Sequence, residues 1–311
     1  MIKEKQQTNK NYLTLKTISV NAGLKSWYEQ QLVKLVKIMV KVYEKQIFSL
    51  YQSNKQQIKE IRYATDDNIG SQSRILLNKL NKTYSKYYDK KSKDTSESMV
   101  KKTEKLLKKS LEASVYTIIS KLADKEENNV IKKLFSQFSP EVLNNKENFM
   151  KAWTLESKLY SQVNNELKKT IVMNNAELIK SIQQQYHKEI SQQVYECVVN
   201  GKPYTELTDM VKTVGDKTKR RARLIARDQV NKAHSVLYRQ ELKQNGITKA
   251  KWVHIGGGKT DRKTHIAKAP KGLNGAIFDL RKGIYDPTVG KFIQPAELPF
   301  CRCQAMPIVE V

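Results

Sequence analysis

A chain of 311 residues is long enough for one large domain or two ordinary ones. With 39% apolar and 28% charged residues the composition suits long, solvent-washed helices, and 57 Lys plus Arg against 31 Asp plus Glu leave a formal charge of +26. That balance favours a polyanionic partner such as nucleic acid, an acidic protein or an anionic membrane, beside the plainer reading of a Lys-rich, solubility-driven surface.

No apolar run approaches the roughly eighteen residues that would span a bilayer, and Met1 to Gln7 lacks the apolar region of a signal peptide, so a cytosolic origin is expected. Three cysteines, an odd number, argue against a secreted disulfide framework and leave thiol or metal roles open. Before residue 201 the only glycines and prolines are Gly23, Gly70 and Pro140; the last third holds the other ten of twelve glycines and six of seven prolines. Uninterrupted helical propensity followed by dense turn chemistry predicts an α+β chain, a long helical region and then a small α+β domain. The expected divisions are an arm over 1–24, an extended helical bundle over 25–201 and the α+β domain over 202–311.

Residues 1–24 are polar and read as a flexible arm. From Lys25 the positions Leu32, Leu35, Val36, Met39, Val40, Tyr43, Ile47, Phe48 and Tyr51 recur at three- and four-residue intervals, the pattern of one helical face. The cluster Asp66 to Gly70 reads as its end. Helices are expected over 72–88 and 97–123, separated by a charged, Ser-containing loop over 89–98. A short helix through Val130 and Phe138 follows, closed by Ser139-Pro140. The longest helix carries Leu155, Leu159, Val163, Leu167, Ile171, Leu178, Ile182, Tyr186, Ile190, Val194 and Val198, a narrow stripe that another helix must cover, whether within the chain or on a partner. Gly201 and Pro203 stop it.

A short helix over 205–214, a turn at Gly215 and a helix to Lys243 come next, with Leu224, Ile225, Val230, Ala233, Val236, Leu237 and Leu242 expected inward and Asn245-Gly246 as the stop. Three strand-length apolar runs follow at 250–255, 276–280 and 304–309.

Two groups of residues carry chemistry. Lys217, Lys219, Arg220, Arg223 and Arg227 crowd one stretch, and Arg220, Arg223 and Arg227 share a helical face that can present guanidinium groups to phosphates. Placed near a helix start, such charge opposes the macrodipole and calls for an offsetting anion. The second group is Cys301-Arg-Cys303. In extended backbone residues i and i+2 project to one side about 7 Å apart, too far for an easy disulfide but suited to two thiolates converging on a metal. His254 and His265 can complete a Cys2His2 zinc site; two buried thiols packing the end of a domain are the simpler alternative. Asp261, Arg262 and His265 also permit a nuclease reading with Asp261 and His265 as acid and base, against which an Asp261–Arg262 ion pair shaping a Gly-rich loop is the cheaper explanation.

Taken in order, Arg223-Leu-Ile-Ala-Arg-Asp-Gln229 with Ala233, Gly246-Ile247, Trp252, Arg262, His265, Leu273-Asn-Gly275 with Phe278, and Pro299-x-Cys301-Arg-Cys303 followed by Pro307 resemble the head-morphogenesis, or minor capsid, proteins of tailed bacteriophages, the Mu F-like family. The resemblance covers about the last ninety residues. This chain has Asp228-Gln229 where family members commonly show Thr-Glu, the His265 to Gly275 spacing is stretched by residues 267–271, and His254 has no counterpart. The resemblance implies a non-enzymatic, low-copy structural protein that joins the prohead interior beside the portal. Its implied partners are portal and capsid or scaffolding protein, with non-specific phosphate contacts to packaged DNA, assembly in the host cytoplasm, and Trp252, Arg262 and Gly275 as structural positions; Asp261 is expected to be structural through its ion pair with Arg262. A metal-dependent nuclease and a non-catalytic nucleic-acid-binding protein are the alternatives.

Overall fold

The computed structural model describes residues 12–14, 17–53, 67–123, 161–200, 202–244, 247–256 and 261–310. In chain order the elements are β1 (Tyr12–Thr14), α1 (Ala22–Ser53), α2 (Asp67–Ala123), α3 (Ser161–Val199), α4 (Tyr204–Gln244), β2 (Lys249–Val253), α5 (Lys263–Ile266), β3 (Ile277–Asp279), β4 (Ile284–Asp286), β5 (Lys291–Ile293) and β6 (Gln304–Glu310). The class is α+β, long helices followed by a small region of antiparallel strands. Two compact units form: residues 22–101 with 168–230, and residues 1–21 with 102–167 and 231–311.

The first unit is helical. The stripe expected on α1 is its buried face, with Tyr28, Leu32, Val36, Met39, Tyr43 and Ile47 almost fully covered, while Phe48 stays half exposed. Tyr43 is a central joint: its ring meets Tyr186 of α3 edge-on at 5.3 Å, and its hydroxyl lies 3.4 Å from Asn81 Oδ1 of α2 and 3.2 Å from His187 Nδ1 of α3. Arg74 of α2 lies over the Tyr195 ring of α3 at 3.7 Å, a cation–π contact. On α3 the inward row is Ile179, Ile182, Tyr186, Ile190, Val194 and Val198; Leu178, expected in that row, is 37% exposed. Narrow stripes of this kind are satisfied only by lateral helix packing, and here the partner helices belong to the chain itself.

Two expected breaks are continuous helix. No loop interrupts 89–98, because the inward positions of α2 run on through Tyr84, Tyr88, Ser92, Ser96, Met99, Thr103 and Leu107 at helical spacing. The buried serines are satisfied locally: Ser92 Oγ donates to the Tyr88 carbonyl at 2.7 Å and Ser96 Oγ to the Ser92 carbonyl at 2.8 Å. Residues 67–70 likewise open α2 instead of closing α1. In α4 no turn forms at Gly215, which is helical; a Cβ there would meet Val40 Cγ2 at 3.4 Å, so the missing side chain serves close packing against α1. Leu224, expected inward, is 50% exposed. The expected helix through Val130 and Phe138, the Ser139-Pro140 cap, Leu155 and Leu159 lie outside the described residues.

The second unit is organised on a four-stranded antiparallel sheet in the order β1-β6-β2-β3, with β4 and β5 forming a separate hairpin. All three expected strand runs are strands, and residues 12–14 of the segment read as an arm form β1, paired with 308–310 of β6. Along β2 the inward positions are Ala250 and Trp252, both fully buried; Trp252 pairs across β6 with Ala305, and Ala250 lies opposite Phe278 of β3. From Asn231 onward α4 buries Ala233, Leu237, Tyr238 and Leu242. It is tied to the segment before the cysteines: Ser235 Oγ and Arg239 both donate to the Pro295 carbonyl, at 2.7 and 3.0 Å. Burial pulls the Arg239 pKa down to about 10, which leaves it charged at neutral pH.

Candidate metal centre

Two loops and one strand start carry the cysteines and histidines together. His265 comes from the single turn of α5, which is held by loop hydrogen bonds: Leu273 N–H donates to Thr264 O at 2.8 Å and Asn274 N–H to Ala267 O at 3.0 Å. Glycine is required twice here. A Cβ on Gly272 would lie 2.2 Å from the Ala267 carbonyl oxygen, and Gly275 has φ +87° in the turn whose N–H reaches Trp252 O. Residues 267–271, which lengthen this loop, thus fold back upon it. His254 follows β2, and its backbone N–H is held by Asn274 Oδ1 at 3.1 Å.

Cys301 and Cys303 precede β6. Ala296 and Phe300 adopt left-handed backbone, φ 63° and 59°, and a non-glycine residue there costs about 1–2 kcal/mol. The turn they make sets both sulfurs and an imidazole nitrogen of His265 within 4.8 Å of one another. His265 Nδ1 is 3.6 Å from each sulfur, and His254 Nδ1 is 3.5 Å from Cys303 Sγ. Of the expected set, His265, Cys301 and Cys303 are gathered at one place, and His254 lies beside it in contact with Cys303.

Each imidazole also has a carboxylate on its far side. His265 Nε2 lies 3.2 Å from Asp286 Oδ2, and His254 Nε2 lies 3.5 Å from Asp261 Oδ2. A carboxylate only accepts, so Nε2 carries a proton in both rings, and a neutral ring in that tautomer offers its Nδ1 lone pair toward the sulfurs. Asp286 is fixed in turn by Thr288, whose N–H and hydroxyl donate to Oδ1 at 3.0 and 2.7 Å. Trp252 packs its indole edge-on to His265, with centroids 5.1 Å apart, and Phe278 lies 6.0 Å beyond.

The hydrogen bond from the Cys303 thiol, helped by the amides of Cys303 and Ala296 and opposed by burial, lowers the Cys301 pKa to about 4; that hydrogen bond and burial push Cys303 up. A soft anionic sulfur, a second sulfur and two imidazole lone pairs make a metal-binding donor set. Open nucleophilic or acid–base chemistry needs access, and Cys301, Cys303 and His265 are 4%, 3% and 2% exposed.

Of the remaining predicted positions, Asp261 partners His254, and the pairing of Asp261 with His265 that a nuclease would use is replaced by His265 with the fully buried Asp286. Arg262 donates to the Pro299 carbonyl at 3.3 Å, bracing the cysteine turn. Sequence pattern alone does not mark Asp286 or Asn274 as site residues. Asp286 sits in Asp-Pro-Thr, a turn signature, and its two roles, turn and imidazole partner, share one carboxylate.

The basic residues lie on the helical unit, in the middle of α4 and not at a helix start, so the macrodipole argument does not apply to them. Acidic partners answer most of them. Arg223 and Arg227 converge on the two oxygens of Glu29 at 3.4 and 2.9 Å, Lys217 reaches Glu189 at 3.1 Å and Lys219 reaches Asp216 at 2.9 Å. Arg220 is exposed. These are surface pairs, worth about 0–1 kcal/mol each, and phosphate can exchange for a carboxylate there.

Residues 188–306 match the model of the family described as Phage Mu protein F like protein. A protein of Haemophilus influenzae (strain ATCC 51907 / DSM 11121 / KW20 / Rd), described as uncharacterized, is 29% identical over 140 residues, covering 45% of this chain and 29% of that protein. The chain thus spans less than a third of that relative's length. No solved structure matches the chain.

Proposed function

The C-terminal region of the chain belongs with the Mu F-like phage proteins, and from that premise we propose that the protein is a structural, non-enzymatic component of a tailed-phage head, a head-morphogenesis or minor capsid protein. The observation that carries the reading is the match over 188–306, the stretch that supplies all of α4, strands β2 to β5 with the start of β6, and the cysteine–histidine cluster. Under it the protein joins the prohead in the host cytoplasm, faces the virion interior beside the portal, and has portal and capsid or scaffolding protein as partners. Among the described residues no helix is long and apolar enough to cross a membrane. Mass spectrometry of purified procapsids and mature particles is the test: the protein is expected in both at low copy, and absence from both refutes the reading.

Contact with packaged DNA is part of the proposal, supported by the charge of +26 and by the exposed guanidinium groups of α4. Such binding is non-specific and falls steeply with salt through counterion release. Glu29 competes with phosphate for Arg223 and Arg227. Glu29→Gln is therefore expected to tighten duplex DNA binding and to steepen the slope of log K against log salt by about one to two. An unchanged slope in a salt series would remove these arginines from the DNA-facing surface.

A further inference from the structure

We propose that Cys301, Cys303 and His265 bind one zinc ion, with His254 Nδ1 closing the tetrahedron, as a buried structural centre that fastens the loops of the sheet unit together. The inference is independent of the head-protein reading, because it rests on donor geometry alone. Zinc bonds of about 2.3 Å to sulfur and 2.0–2.1 Å to nitrogen, at the tetrahedral angle, separate neighbouring sulfur and nitrogen ligands by roughly 3.5–3.6 Å. Three of the four sulfur–nitrogen pairs in this set are 3.5, 3.6 and 3.6 Å apart.

Thiol–imidazole hydrogen bonds alone do not account for the arrangement. His265 Nδ1 has one in-plane lone pair, and two sulfurs stand at equal distance from it. A single cation at the centre satisfies both sulfurs and both rings at once. The surroundings are also those of a metal centre. Each ring is oriented by a carboxylate on its Nε2, the arrangement that fixes the tautomer and raises ligand basicity. Backbone amides of Cys303 and Ala296 hydrogen-bond to the Cys301 sulfur and that of Ile255 to the Cys303 sulfur, which disperses thiolate charge. A donor set of two sulfurs and two imidazole nitrogens suits tetrahedral zinc over the octahedral, oxygen-seeking cations. With four protein ligands and burial of both cysteines and His265, no position is left open for substrate, so the centre braces and does not catalyse.

The test uses the full chain, purified under reducing conditions without added chelator. Elemental analysis is expected to find about one zinc per chain. Replacing zinc by cobalt should give the visible bands of a tetrahedral site together with thiolate-to-cobalt charge transfer in the near ultraviolet. Cys301→Ser should abolish the charge-transfer band or the stoichiometry. Because that variant can fail to fold, the wild-type chain stripped by a chelator and retitrated with zinc chloride decides independently. A stripped chain that stays folded by circular dichroism, has reduced thiols and takes up neither zinc nor cobalt overturns the proposal, and leaves the thiols as packing. His254→Ala is expected to weaken zinc binding at least tenfold and to alter the cobalt spectrum; an unchanged affinity and spectrum overturns the assignment of the fourth corner.

Discussion

Trp252→Ala is expected to raise the hydrogen-exchange rates of the β2 and β6 amides by about two to three and a half orders of magnitude. Trp252 is fully buried on β2, which lies between β6 and β3, and its ring is the common wall of His265 and Phe278. Opposite it stands Ala305, too small to refill the space. Truncating a buried Trp costs about 3–5 kcal/mol, and every 1.4 kcal/mol is a factor of ten in the opening equilibrium that exchange reports. Exchange is the right measurement because the helices dominate circular dichroism and would mask a change confined to the sheet. Trp252→Phe keeps an aromatic edge on the imidazole and should recover most of the protection. Rates for Trp252→Ala within tenfold of the parent would show that the sheet does not depend on this ring.

The second large effect is expected at Asp286, where two substitutions separate packing from proton placement. Asp286→Ala leaves the His265 Nε2–H without its acceptor in a buried site, while the exposed Thr288 donors can turn to water, and should destabilise the sheet unit by about 1–3 kcal/mol. Asp286→Asn behaves differently. Its carbonyl oxygen can still accept from Thr288, but its amide then turns a donor toward His265 Nε2. The imidazole answers by moving its proton to Nδ1, the nitrogen that faces both sulfurs. The variant is expected to fold while its zinc affinity falls about 10- to 100-fold. Long-range nitrogen–proton NMR of the His265 ring in the metal-free chain reports the tautomer directly, since zinc on Nδ1 would itself hold the proton on Nε2. A metal-free ring that keeps its proton on Nε2 in Asp286→Asn would refute this account of what the carboxylate does.

Much of this arrangement was legible in the residues. The α1 stripe, the three strand runs and the pairing of Cys301-Arg-Cys303 with His265 all follow from local period and donor chemistry. The misread elements share a cause, which is that small or polar residues can occupy a packed face. Ser92, Ser96 and Thr103 break the apolar pattern of α2 without breaking the helix, since serine hydroxyls can return their hydrogen bonds one turn back. Gly215 marks a close helix approach, a role that cannot be told from a turn without knowing that Val40 lies beside it. The hairpin of β4 and β5 is three residues a side, and Tyr285 and Phe292 stack edge-on while staying exposed, so no alternation betrays it. Long-range partners are invisible to local pattern altogether. Nothing near Arg223 and Arg227 announces Glu29, and nothing near His265 announces Asp286.

The pairing of β1 with β6 has a consequence for the order of events during synthesis. Residues 12–14 are synthesised roughly 300 residues ahead of their hydrogen-bonding partners at 308–310. At about 5–20 residues per second that is a wait of about 15–60 s. For all of that time the early strand offers unsatisfied backbone edges to any neighbouring nascent chain, while the helices, built from local contacts, can already have formed. Crowded polysomes are therefore where this protein is most exposed to mispairing, and where a chaperone that shields the waiting strand would matter most.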